Sequence, residues 1–224
     1  MTKKDLVISI IDNIEGGYYH PDMKSKLKNG ERMGISGETM FGIDRKNGGP
    51  DVTTSAAGIE FWNLVDAAYG THHGDTSFYG DKADGKKIPA TIGNRLRTLA
   101  ANLILDRYSR YSAVLSAQAK QIVERSPKLC LQFIYGCYNG QGNFNRFANV
   151  VNNAVAQGIT DENTLFELVQ ESRRQKGGLI AEGADKLDII ASALPKSFSG
   201  GGSLKIFAAL LAVGVVSYFL IKKK

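Results

Sequence analysis

The chain has 224 residues, 43% hydrophobic and 22% charged, an ordinary globular balance with room for one domain of substantial core or two small ones. Its net charge is +6, but Lys196, Lys205, Lys222, Lys223 and Lys224 follow residue 195 with no acid among them, which leaves the first 195 residues at +1. The excess therefore belongs to the tail, and without a clustered Lys/Arg stripe a nucleic-acid partner is excluded.

The N-terminus reads Met-Thr-Lys-Lys-Asp, and the run from Leu6 to Ile14 is broken by Ser9, Asp12 and Asn13 with no small-residue cleavage site, so it is not read as a secretory signal. Leu6, Ile10, Ile11 and Ile14 instead recur at helical spacing and predict a helix over Asp5–Ile14, stopped by Gly16-Gly17. Residues 16–52 are rich in Gly, Asn, Asp and Lys and read as loops, with a short hairpin expected around Lys28-Asn29-Gly30-Glu31. Helical spacing returns over Ser55–Tyr69, where Trp62 is expected in the core. Gly70–Lys87 reads as loop; the adjacent His72 and His73 have no nearby Cys, and no metal site is expected.

Pro89–Glu124 predicts a long helical stretch with a break near Ser109–Ser112, its core side marked by Leu96, Leu99, Leu103, Leu105, Tyr108, Tyr111 and Leu115. Pro127–Tyr138 and Asn145–Ala156 predict helices around a Gly-rich turn, Asn139-Gly-Gln-Gly-Asn143. Cys130 and Cys137 would stand roughly 10 Å apart on one helix, beyond the ~7 Å reach of a disulfide, and are read as buried thiols. A helix over Asp161–Gln175 is expected to start on Thr160 as N-cap, with Arg173, Arg174 and Lys176 as a solvated face. The last soluble helix is placed at Asp185–Leu194, ended by Pro195. Strand-like alternation is scarce, so the expected class is mainly α, with at most a small β element.

The tail differs in kind. Ser197–Ser203 is a Gly/Ser linker, able to extend to about 24 Å. Ile206–Ile221 carries no charge, and counted from Leu204 the segment could run about 27 Å as a helix, close to a hydrocarbon core of about 30 Å. Lys205 can snorkel at one interface and Lys222-Lys223-Lys224 anchor the other, which predicts a single-pass anchor at 204–221 and a lipid membrane as partner. The terminal lysines favour a cytoplasmic or virion-interior end, with the soluble domain on the opposite side.

One constellation points to chemistry. Glu15-Gly16-Gly17-Tyr18 sets a carboxylate at the C-terminal end of an apolar helix, where the helix dipole and burial both disfavour its charge. A carboxyl with a raised pKa is what a general acid needs to protonate a glycosidic oxygen. The two glycines would let a sugar chain approach the backbone. The segment Ser36-Gly-Glu-Thr-Met-Phe-Gly-Ile43 follows, with Thr39 standing 24 residues after Glu15.

Together these segments resemble glycoside hydrolase family 108, phage and bacterial muramidases with a lysozyme-like helical fold. In that family Glu-Gly-Gly-Tyr ends the first helix, and Gly-Gly-Glu-Thr-x-Tyr-Gly-Ile follows in the active-site loop. Here Ser36 replaces a Gly and Phe41 a Tyr. Phe133–Gly140 and Asn145–Ala154 resemble the C-terminal half of those enzymes, where an Asn-x-Gly segment links two helices and is thought to help bind peptidoglycan.

The resemblance implies a lysozyme-like domain over 1–195, with a catalytic half at 1–125, a small β-hairpin in its active-site region, and a wall-binding-like helical half at 126–195. It implies Glu15 as general acid, Thr39 positioning the attacking water, Glu38 contributing charge or holding the loop, and Tyr18 and Asn139 as substrate-binding residues. Peptidoglycan is then the substrate, with capsid or other virion proteins as further partners and no cofactor, since proton transfer between carboxyls and sugar needs none. The expected protein is a membrane-anchored muramidase of a phage virion.

The sequence departs from the family at one telling position. The family carries an Asp five residues before the Thr, and here that residue is Gly34, within a stretch about ten residues longer than usual. Asp22, Glu31 or Asp44 could supply the second carboxylate. Its loss would fit a lytic transglycosylase, or a non-enzymatic virion protein that keeps the fold for structure or wall binding.

Overall fold

The computed structural model describes residues 1–15, 17–19, 39–45, 48–69 and 89–198. Helices occupy 79% of the described residues, so the class is mainly α, as expected. The described chain divides into two compact units, one formed by Met1–Ile14 with Ile104 onward, the other by Glu15–Leu103.

In the first unit, helix α1 spans Lys3–Ile10 and opens on a capping box. The Thr2 hydroxyl accepts from the Asp5 amide at 3.2 Å, and the Asp5 carboxylate accepts from the Thr2 amide at 2.7 Å, so two donors with no partner inside the helix are satisfied reciprocally. Leu6, Ile10 and Ile11 are buried as their spacing predicts, Val7 is buried with them, and Ile14 is half-buried. The helix does not run on unchanged to Ile14: from Ile11 to Glu15 it widens into one π-helical turn. Such turns break the 3.6-residue periodicity and often sit at functional sites.

The rest of this unit is a bundle. Helix α4, Ala90–Tyr111, crosses from the other unit and leads through a 3-10 turn, Ser112–Val114, to α5 at Ala117–Arg125. The break thus falls between Tyr111 and Ser112, within the expected Ser109–Ser112. Helix α6 is Pro127–Tyr138, with the Ser126 hydroxyl capping the Leu129 amide at 3.0 Å. Then follow α7 at Gln141–Ala156, α8 at Glu162–Lys176 and α9 at Gly178–Ser192. Helix α6 packs against α1, α5, α7, α8 and α9. Between Pro127 and Cys137 only Lys128 escapes burial, so α6 is apolar nearly all round, as a central helix must be. Cys130 and Cys137 are free buried thiols, and burial pushes both well up from the ordinary thiol range. Tyr108 is buried, and Tyr111 packs edge-on to Phe144 at 5.6 Å.

Several local expectations need correction. The N-cap of α8 is Asp161, not Thr160: its carboxylate accepts from both the amide and the hydroxyl of Thr164 at 2.8 Å, two bonds where a threonine one residue earlier is out of register. Helix α7 begins inside the Gly-rich turn, because Gly140 takes φ +82 and turns the chain in a single residue. Helix α9 starts at Gly178, seven residues before the expected Asp185, and ends at Ser192.

The largest correction concerns Arg173. It is not part of a solvated face with Arg174 and Lys176: it is 0% exposed. Its Nε donates to Gln132 Oε1 and a terminal nitrogen to the Gln132 carbonyl, both at 2.6 Å, while its guanidinium lies 4.1 Å from the Phe147 ring centroid and 5.2 Å from that of Tyr135. Burial pulls its pKa down to about 9, against an opposing effect from Tyr135. Two aromatic rings and a buried glutamine stand where a charge run promised water.

The second unit holds a three-stranded antiparallel sheet in the order β1-β2-β3, with β1 at Tyr18–Tyr19, β2 at Thr39–Met40 and β3 at Ile43–Asp44. After it come α2, Pro50–Thr53, and α3, Ala56–Tyr69. Met40, Phe41, Ile43, Val52, Phe61, Trp62, Val65, Leu96 and Leu99 form its core. Trp62 is buried as expected, edge-on to Phe61, with the Arg45 guanidinium 5.0 Å from its ring centroid. That guanidinium forks onto the Asp66 carboxylate at 2.7 and 2.9 Å, tying the end of β3 to α3.

The expected hairpin at Lys28–Glu31, Gly34, Glu38 and the His72-His73 pair lie outside the described residues. So do residues 199–224, and with them the expected anchor at 204–221. Among the described residues no helix is long and apolar enough to cross a membrane.

Candidate functional site

The site is built on the end of the π-helical turn and on the turn between β2 and β3. Glu15 is the last residue of the first and is half-buried. Phe41 and Gly42 form the second, both at positive φ, +54 and +72. Two such residues between paired strands make the tight primed hairpin turn, whose twist matches that of its strands. Glycine accepts this backbone without cost, whereas a buried phenylalanine does not. Phe41 is held there by its packing: it is 4% exposed, with the Arg97 guanidinium 5.3 Å from its ring centroid.

Gly42 is also where the two sequence motifs meet. A Cβ at position 42 would stand 2.7 Å from Cδ and 2.9 Å from Cγ of Glu15, and closer still to a carboxylate oxygen. The Glu15 carboxyl therefore occupies the volume that any side chain at 42 would need. Backbone bonds fix the approach: the Phe41 amide donates to the Gly17 carbonyl at 3.3 Å, and β1 pairs with β2. Glu15 and Gly17 thus stand together with the β2–β3 turn, 24 or more residues further along the sequence.

The register sets what surrounds Thr39. It pairs with Tyr19 on one side and Asp44 on the other. Directly opposed residues of an antiparallel ladder share a face, with Cβ atoms about 4.5–5.5 Å apart. Met40 pairs with Tyr18 and Ile43, and Met40 and Ile43 are buried, so the other face carries half-buried Thr39 and Asp44.

Of the residues singled out in sequence, Glu15 and Thr39 are brought to this sheet. Tyr18 contributes its backbone to the ladder. Glu38 adjoins Thr39 in the chain but lies outside the described residues, as do Asp22 and Glu31 among the candidate second carboxylates. Asn139 belongs to the helical unit, at the C-cap of α6; its backbone carbonyl accepts from the Asn143 side chain at 2.8 Å, and its own amide oxygen is buried without a hydrogen-bond partner. No group of three or more His, Cys, Asp or Glu that could hold a metal occurs among the described residues.

Sequence reasoning missed a concavity in the helical unit. A cleft of about 720 Å³ lies between α7 and α8, lined among others by Asn145, Arg146, Asn149, Asn153, Glu171 and Gln175. Arg146 Nε donates to the Ser172 hydroxyl at 3.0 Å across it. The signal was present in sequence: asparagines at 145, 149 and 153 repeat every four residues and so fall on one helix face.

No protein-family model matches the chain, and neither does any curated protein or solved structure.

Proposed function

We propose that this chain is a peptidoglycan-cleaving muramidase with a lysozyme-like domain, held to a phage virion membrane through residues 204–221, with Glu15 as the general acid. The observation that carries the reading is the seating of the Glu15 carboxyl against Gly42, beside a ladder that presents Thr39. A carboxyl donor and a hydroxyl that can both accept and donate are parts a glycosidase needs at the scissile bond. Protonated Glu15 gives its proton to the glycosidic oxygen as the bond to the anomeric carbon breaks. Water held by Thr39 adds to that carbon.

The test is digestion of purified peptidoglycan by the full chain in mild detergent, wild type against Glu15→Gln, with products read by mass spectrometry. Removing a general acid should cost about 10²–10⁴-fold in rate while leaving Tm unchanged. Equal activity in the two proteins would refute the role of Glu15. Anhydro-sugar ends in place of reducing ends would make the chain a lytic transglycosylase.

A second reading, a wall-binding virion protein without activity, draws on the α7–α8 cleft. Its amide-rich lining suits the acetamido and hydroxyl groups of a glycan strand. Wall pull-down without any glycan cleavage would favour it.

A further inference from the structure

We propose that Asp44 is the second catalytic carboxylate, the general base that activates water for an inverting hydrolysis. The inference rests on the glycosidase reading above and deepens it. The register places Asp44 directly across the ladder from Thr39, on the face opposite buried Met40 and Ile43. Both residues are half-buried, so both keep access to solvent on that face. Cross-strand neighbours of this kind bring a hydroxyl and a carboxylate within reach of one water molecule.

Asp44 follows the β2–β3 turn, two positions after Gly42, the residue covered by the Glu15 carboxyl. An inverting glycosidase needs its carboxyls about 6.5–9.5 Å apart so that a water fits on the far side of the sugar, whereas a retaining one holds them about 5–5.5 Å apart. The sheet itself is braced next door, where Arg45 forks onto Asp66. A carboxylate carried by β3 is therefore held on a fixed element.

The step balances without a further reactant. The Asp44 carboxylate takes one proton from the water on Thr39, and the water oxygen bonds to the anomeric carbon. The bond from that carbon to the glycosidic oxygen breaks, and this oxygen takes the proton of Glu15. Proton exchange with solvent then resets both carboxyls. In this arrangement Asp44 supplies from β3, five residues after Thr39, what Gly34 cannot supply five residues before it.

The experiment uses the full chain in detergent on peptidoglycan, comparing wild type, Asp44→Ala and Asp44→Asn, with and without sodium azide. Azide is a nucleophile that needs no deprotonation. The two variants should lose hydrolysis by about 10²–10⁴-fold with Tm unchanged. Azide should restore strand cleavage in Asp44→Ala, with a glycosyl azide of inverted anomeric configuration identified by NMR.

Asp44→Asn keeps the side-chain volume, so its Tm separates lost folding from lost chemistry. Wild-type cleavage that both variants leave within about threefold overturns the inference alone, since a general base is worth far more. Lost activity in a folded variant that azide does not restore makes Asp44 structural and also overturns it, as do anhydro-sugar products from wild type. No cleavage by wild type removes the underlying reading together with the inference.

Discussion

Around α6 every packed neighbour is a helix, and its side chains are buried from Pro127 to Cys137 with Lys128 as the exception. Around Thr39 the ladder is two residues long on each strand, a phenylalanine sits at positive φ, and a carboxylate fills the space over a glycine. The helical unit buries Arg173 against the rings of Phe147 and Tyr135. The sheet unit carries local backbone strain at Phe41, a feature that costs stability and that clusters at functional sites. The comparison teaches where mutations should separate stability from function.

The largest expected effect tests the helical side. Arg173→Ala should cost about 3–5 kcal/mol, in the range of emptying a large core site, and lower Tm accordingly without changing turnover per folded molecule. Arg173→Met, which roughly keeps volume and removes the buried charge, should cost less than about 1.5 kcal/mol. Thermal melts of both variants check this. Equal losses would mean that the guanidinium contributes by charge, and the helical unit would no longer stand apart as a packing structure.

Next comes the sheet side. Gly42→Ala adds a methyl group into the Glu15 carboxyl and forces φ +72 on a residue with a Cβ. The backbone should cost about 1–2 kcal/mol. Displacing the acid should cost about 10²-fold in rate, the usual result of a misplacement near 1 Å. Melts and digestion assays on the same sample should show more damage to activity than to Tm. Damage confined to Tm would break the comparison.

The smallest effect is a pH dependence confined to the helical side. Hydrogen bonds from the Thr164 amide and hydroxyl hold the Asp161 carboxyl below the usual carboxylate range. A depressed folded pKa gives stability that is present above the ordinary value near 3.9 and is lost as pH falls through the folded one. Asp161→Asn should remove that acid-side contribution. Melts of both proteins from about pH 7 down to about pH 2 should converge at the acid end.

The sequence by itself determined the helical class, the extent of α6, the burial of Trp62 and of both cysteines, and the choice of Glu15 and Thr39 as candidates. Each rests on a local cause: apolar residues at helical spacing, a proline start, or a motif of adjacent residues. The structure alone decided that Arg173 is buried, because a charge run looks solvated until its neighbours are known, and Gln132, Tyr135 and Phe147 are remote in sequence. It alone decided the π-helical turn that delivers Glu15, and the register that sets Asp44 opposite Thr39. Pairing across a sheet is fixed by which faces are buried and which turn joins the strands, and two-residue strands leave too short a pattern to read. The contact of Glu15 with Gly42 joins residues 27 positions apart in the chain, and only a folded backbone brings such positions within reach.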